Sequence, residues 1–114
     1  MPMRQRLIAL VLVTSLAPGL VGCAEPAPQG QAALLDFIQD GKTTRQEIAL
    51  HLGDPGATYE NDRVLTYRLG YDKGGYYVLR NKTDWNGVCS NLVLALDAND
   101  RLRQHSLVRV GDCS

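Results

Sequence analysis

Val88-Cys89-Ser90-Asn91-Leu92-Val93-Leu94-Ala95-Leu96-Asp97 is the most regular stretch of the chain. Its bulky apolar residues recur every second position, so Leu92, Leu94 and Leu96 share one face of a strand. Asp97-Ala98-Asn99-Asp100 has the composition of a turn. Leu102 to Val110 then returns as a second strand. A strict period of two puts Leu102, Ser106, Val108 and Val110 on one face and Arg103, His105, Leu107 and Arg109 on the other. This hairpin sets Cys89 roughly opposite Arg109, and Cys113 reaches Cys89 only by curling back at the strand end.

The same period extends upstream to Asp62. Leu65, Tyr67 and Leu69 fall on one face and Val64, Thr66 and Arg68 on the other. Gly70 to Gly75 reads as a turn or bulge. Tyr76-Tyr77-Val78-Leu79 is a second strand or a continuation of the first, and Lys82 to Gly87 is polar and turn-rich.

Before Asp62 the pattern is helical. Thr44-Arg45-Gln46-Glu47 is a capping box, in which the Thr44 hydroxyl accepts from the Glu47 amide while Glu47 reaches back to the Thr44 amide. Ile48, Ala49 and Leu52 form the apolar stripe. Gly53 suits the position after the last turn, and Pro55 forbids continuation. His51 stands near the helix end, where it can bond the last carbonyls. Leu34, Leu35 and Ile38, with Phe37 beside them, predict another short amphipathic helix over residues 32–39, ended by Gly41. Helices followed by strands predict an α+β domain, with two short N-terminal helices packed on an antiparallel sheet of three or four strands.

The first 33 residues are of another kind. Arg4 and Arg6 precede Leu7–Val21, a stretch with no charge that Pro18-Gly19 interrupts. This is the pattern of a secretory signal, and it is too short for the ~20 apolar residues of a membrane span. It ends Leu20-Val21-Gly22-Cys23, which resembles the lipobox of bacterial lipoproteins. That resemblance implies cleavage between Gly22 and Cys23 and lipidation of the Cys23 thiol and its freed amino group. Two or more acyl chains anchor a protein stably. Ala24, rather than Asp, implies the outer membrane, with the domain facing the periplasm. Residues 24–33, with two prolines and no bulky apolar side chain, read as a tether. The expected organisation is a signal peptide over 1–22, a lipidated tether over 23–33 and a domain over 34–114.

Loss of residues 1–22 removes two of the 12 basic side chains and none of the 12 acidic ones, leaving the chain mildly acidic. With no basic stripe or tail, nucleic acid is not the expected partner. Once Cys23 is lipidated, Cys89 and Cys113 remain. In an exported small domain such a pair reads as a disulfide closing a loop of about 25 residues, worth ~3.5 kcal/mol in the chain-entropy model. The alternative is two separate buried thiols. Neither cysteine lies in a C-x-x-C, so zinc is not expected.

Asp40-Gly41-Lys42-Thr43-Thr44, then Glu47-Ile48, then Leu52-Gly53-Asp54-Pro55, resembles the G-x-T-x-x-E-V…L-G-x-P signature of the SmpA/OmlA (BamE-like) domain family of outer-membrane lipoproteins. Leu92–Asp97 and Leu102 resemble that family's closing hairpin. The resemblance spans about residues 34–110. It implies a helix-helix-three-strand fold, also seen in β-lactamase-inhibitor-like domains. It further implies a non-catalytic scaffold or accessory role in outer-membrane protein assembly or envelope maintenance, with the β-barrel assembly machinery as partner. An inhibitor-like or ligand-sensing envelope module is the alternative on the same fold.

Candidate partner-binding residues are aromatic and basic. Tyr71, Tyr76 and Trp85 stand among Asp, Lys and Gly, and Tyr and Trp are enriched where proteins bind. Packing on the sheet is the other use of such aromatics. Arg103 and Arg109, with Arg101 and His105, offer a basic face for an acidic partner or lipid headgroups, or simply a solvated face. Ser90, His105 and Asp97 lack a Gly-rich elbow or oxyanion motif, so an enzyme is not expected. His51 and His105 have no carboxylates at ligand spacing, and Asp97–Asp100 lacks the Gly and Glu of a calcium loop, so neither metal nor cofactor is expected.

Overall fold

The structure is a computed structural model that describes residues 29–113. It contains one helix, α1 (Arg45–Leu52), and five strands: β1 (Ala57–Tyr59), β2 (Val64–Asp72), β3 (Gly75–Val78), β4 (Ser90–Leu96) and β5 (Leu102–Arg109). All strand pairs are antiparallel, in the order β1-β2-β4-β5, with β3 also paired to β2. Thr66 pairs with Ala57 on one side and Val93 on the other, and Leu69 with Val78 and Ser90. So β1 and β3 lie end to end along the same edge of β2, and β5 forms the opposite edge.

This corrects the expectation of two helices on a three- or four-stranded sheet, and with it the helix-helix-three-strand fold that the SmpA/OmlA (BamE-like) and β-lactamase-inhibitor-like resemblance implies. Residues 32–37 form successive turns, with the amides of Leu34, Asp36 and Ile38 bonded three residues back to Gln31, Ala33 and Leu35. No capping residue precedes Leu34, and so short a helix is marginal without one. The Gln31 amide is instead drawn to the Tyr76 carbonyl, 2.9 Å away. The Thr43 hydroxyl closes the other end, accepting from the Gln39 amide and donating to the Phe37 carbonyl. Turns let Leu34, Leu35, Phe37 and Ile38 all rest against the core. The added strand β1 escapes a periodicity search because its side chains are mostly exposed and backbone pairing defines it. It is joined to β2 by Glu60, Asn61 and Asp62, all in the left-handed region.

The helix forms as its cap dictates. The Thr44 side chain accepts from the Glu47 amide, and Glu47 accepts from the Thr44 amide at 3.0 Å. Its buried stripe, Ile48 and Leu52, meets Leu65, Tyr67 and Leu69 of β2, Leu92, Leu94 and Leu96 of β4, and Leu102. These nine residues are the core, and they cover one face of the sheet. Phe37 stacks on His51 with ring centroids 4.1 Å apart, tying the turn segment to the helix.

A second correction concerns β5. Leu96 pairs with Leu102 and Ala95 with Gln104, so Arg103 is the extra residue of a bulge. The bulge moves Leu102 onto the helix-side face with His105, Leu107 and Arg109, where a strict period of two sets it on the other face.

At its other end the sheet holds the incoming chain. Gly30, within the stretch read as tether, donates its amide to the Asp72 carboxylate at 2.9 and 3.1 Å, and Gly74 donates to the same group at 2.7 Å. Gly30, Gly74 and Gly75 pack backbone against backbone there, with no space for a Cβ on any of them.

Candidate functional site

Helix α1 and the 34–38 turns cover only part of their face of the sheet. Beyond them lies a groove of about 440 Å³ lined by Tyr71, Tyr76, Ser90, Leu107, Arg109 and Cys113. Register explains the grouping. Ser90 sits opposite both Leu69 and Arg109, and Leu92 sits opposite Leu107, so these side chains continue the core face past its cover. Tyr71 and Tyr76 are cross-strand partners on β2 and β3, with rings edge to face at 5.0 Å. Tyr71 is 43% exposed and Leu107 42%. Cys89 and Cys113 are bridged, with Cα atoms 4.8 Å apart, and the bridge closes the groove at the end of β5. The Cys89 carbonyl accepts from both Val110 and Gly111, which curls the C-terminal residues back over β4.

Three of the five candidate partner-binding residues, Tyr71, Tyr76 and Arg109, therefore meet. Trp85 does not join them. It lies over the Arg68 guanidinium, 4.1 Å from its ring centroid, on the face of the sheet away from the helix. Arg68 is fixed there by donating to the carbonyls of Lys82 and Asp84. Arg103 stands in the β5 bulge, at the strand end away from the groove. Gly22 and Cys23 lie outside the described residues. Leu107 and Ser90 belong to the groove but escape a sequence reading. Only the pairing of β4 with both neighbours brings them beside the tyrosines.

Among the described residues strand β5 pairs only with β4, and every residue from Arg103 to Val110 is exposed. Its first residues are already covered by the chain itself. Gly41 donates to the Leu102 carbonyl and Leu102 to the Thr43 carbonyl, each at 2.7 Å, and Arg45 donates to the Asp100 carbonyl. The His105 ring Nδ1 lies 2.6 Å from the Asp40 carboxylate, where this cover turns away. His105 and His51 thus serve separate contacts. Ser90 is buried, with its hydroxyl 3.4 Å from the Cys89 sulfur, and it is not joined to His105.

A larger cavity, about 520 Å³, lies on the far side of Gly53–Gly56, against residues 78–83. Arg80 spreads across Gly53 there and Lys82 pairs with Asp84 at 3.0 Å, so much of its positive charge is already engaged within the chain. The Lys82 ammonium and the Asn86 amide hold the Asp84 carboxyl below the ordinary range. Among the described residues no group of three or more His, Cys, Asp or Glu side chains is placed to hold a metal, and no helix is long and apolar enough to cross a membrane. No family model, curated protein or solved structure matches the chain.

Proposed function

We propose that the chain is an envelope lipoprotein, lipidated on Cys23 and facing the periplasm from the outer membrane, whose domain is a non-catalytic protein-binding module. The observation that carries the binding reading is the uncovered groove beside β5. Tyr71, Tyr76 and Leu107 line it beside Ser90 and Arg109, a mixed apolar and polar surface on a disulfide-closed sheet, next to a strand edge with open backbone groups. Tyrosine and arginine are enriched among the residues that carry binding energy where proteins meet. Of the groups that could supply nucleophilic chemistry, Ser90 lines the groove but is buried with its hydroxyl against the Cys89 sulfur, and His105 is engaged with Asp40. The basic n-region and the Leu20–Cys23 lipobox support the anchor. The accessory role in outer-membrane protein assembly rests on the resemblance of residues 40–44, 47–48 and 52–55 to the SmpA/OmlA signature.

Two measurements test this reading. Cys23→Ser should move the protein from the membrane to the soluble or unprocessed pool, and unchanged anchoring would refute the lipid anchor. In-cell crosslinking of a C-terminally tagged chain should recover an envelope protein. Recovery of the β-barrel assembly machinery supports the assembly role. A different, specific envelope partner keeps the module and replaces the role with an inhibitor-like or sensing one.

A further inference from the structure

We infer that the open edge of β5 takes an extended, acidic segment of a partner protein as an additional antiparallel strand. The inference rests on the protein-binding reading and specifies the partner's chemistry. The Val110 amide is turned inward to the Cys89 carbonyl. By alternation along the strand, the backbone N–H and C=O groups of His105, Leu107 and Arg109 point away from β4. Among the described residues they form a free row next to the stretch at Leu102 where residues 41–43 already bond to the same edge. The described chain thus already bonds to this edge once, through the backbone of turn residues 41–43, and leaves its remainder open.

Charge selects the occupant. Between Arg101 and Gly111 the chain carries Arg101, Arg103 and Arg109 and no acidic residue, and His105 there is already met by Asp40. A second copy docked edge to edge would bring two such runs together, and like charges across a strand pair are destabilising. An acidic strand meets the opposite sign. Its preferred pattern follows from the faces. Leu107 and Arg109 both look into the tyrosine groove. A partner strand therefore places an apolar side chain opposite Leu107 and, two residues away on the same face, an Asp or Glu opposite Arg109. Backbone pairing supplies the attachment, and the groove supplies the selectivity.

The test uses the full chain, ¹⁵N-labelled in mild detergent, and two synthetic octapeptides with Thr at every second position and, on the other face, Val alternating with Glu or Val alternating with Lys. The Glu peptide should bind at least about tenfold more tightly and slow amide exchange at His105, Leu107 and Arg109. Leu107→Pro removes one outward amide without touching the β4 ladder, as proline at an edge allows, and should abolish that protection. The paired change Arg103→Glu, Arg109→Glu should reverse the preference between the peptides. Equal binding of both peptides, binding without β5 protection, or β5 protection that grows with protein concentration alone would overturn the inference, the last in favour of a second copy. If the charge-reversed and Leu107→Pro variants still capture the wild-type chain's envelope partner, the edge is not the site and the module reading stands. If the wild-type chain captures none, the module reading itself fails.

Discussion

The Tyr67 hydroxyl donates to the Gly53 carbonyl across 2.8 Å, joining the middle of the sheet to the end of the only helix among the described residues. Tyr67 is 1% exposed, and burial pushes its hydroxyl up from 10 to about 12, with the nearby Arg80 charge opposing the shift. Tyr67→Phe keeps the ring and leaves a helix-terminal carbonyl without its partner, which should cost about 1–2 kcal/mol in a urea titration at neutral pH. The pH dependence has a definite sign. A folded pKa raised above the unfolded value means the neutral form is favoured by folding. The wild-type contribution is whole below pH 10 and is lost as pH rises toward 12. Wild type should therefore lose about 2–3 kcal/mol more than Tyr67→Phe over that interval. Parallel alkaline profiles would show that the hydroxyl is not buried.

Asp72 acts at low pH. The Gly30 amide, and after it the Gly74 amide, hold its carboxyl below the ordinary range. A depressed folded pKa gives stability that is present above the usual value near 3.8 and lost as pH falls through the lower folded value. In an acid titration followed by NMR, the Gly30 and Gly74 amide shifts should move together, below pH 4. Asp72→Ala should make both amides exchange rapidly while those of Ile48 and Leu94 stay protected. Retained protection of Gly30 in that variant would mean that the Gln31–Tyr76 bridge alone holds the segment.

Which parts of this molecule could be read from residue order follows from how far apart the deciding groups lie. The cap at Thr44 and Glu47 is settled within one helical turn, so four letters suffice. Leu65, Tyr67 and Leu69 and Leu92, Leu94 and Leu96 alternate cleanly because only one face of β2 and β4 is covered by the core. The turns at 32–37 could not be read the same way. Their apolar spacing suits a helix, but the competing partner of Gln31 lies 45 positions away at Tyr76. A strict period of two misplaces Leu102 on β5 because nothing local announces a bulge at Arg103. The candidate site shares this divide. Tyr71 and Tyr76 are near neighbours in sequence, whereas their approach to Leu107 and Arg109 depends on β4 between them. The contact of Arg68 with Trp85 is likewise made by the return of the 82–87 loop across the sheet.

The β1–β2 turn carries strain that a single substitution can relieve. Glu60, Asn61 and Asp62 all have positive φ, at 53°, 56° and 66°. Asn and Asp tolerate that region, and a Glu side chain does so less well. Glu60 is exposed, so its side chain can be exchanged without disturbing the core, whereas Asp62 accepts from the Thr58 hydroxyl at 2.8 Å. Glu60→Asn should stabilise the domain by about 0.5–1 kcal/mol, a rise of roughly 2–6 °C in thermal midpoint for a domain of this size. Asp62→Ala should lower it. A fall with Glu60→Asn would show that the turn is not left-handed at that residue.

The Cys89–Cys113 bridge should contribute a large share of the stability. A domain of this size has roughly 4–13 kcal/mol in all, and a closed loop of about 25 residues accounts for ~3.5 kcal/mol of it in the chain-entropy model. The bridge also has a local duty. It fixes the curl by which Val110 and Gly111 both donate to the Cys89 carbonyl, and it borders the groove at Arg109. Reduction, or the double change Cys89→Ala and Cys113→Ala, should lower the urea midpoint by about 3–4 M, given a slope near 1 kcal/mol per M for so small a chain. Loss of order should begin at the C-terminal end of β5, so amide protection should vanish at Val110 and Gly111 before it weakens at Leu94. A midpoint indifferent to reductant would show two separate thiols. A uniform loss of protection would show that the bridge acts on the unfolded chain alone, with no hold on the groove.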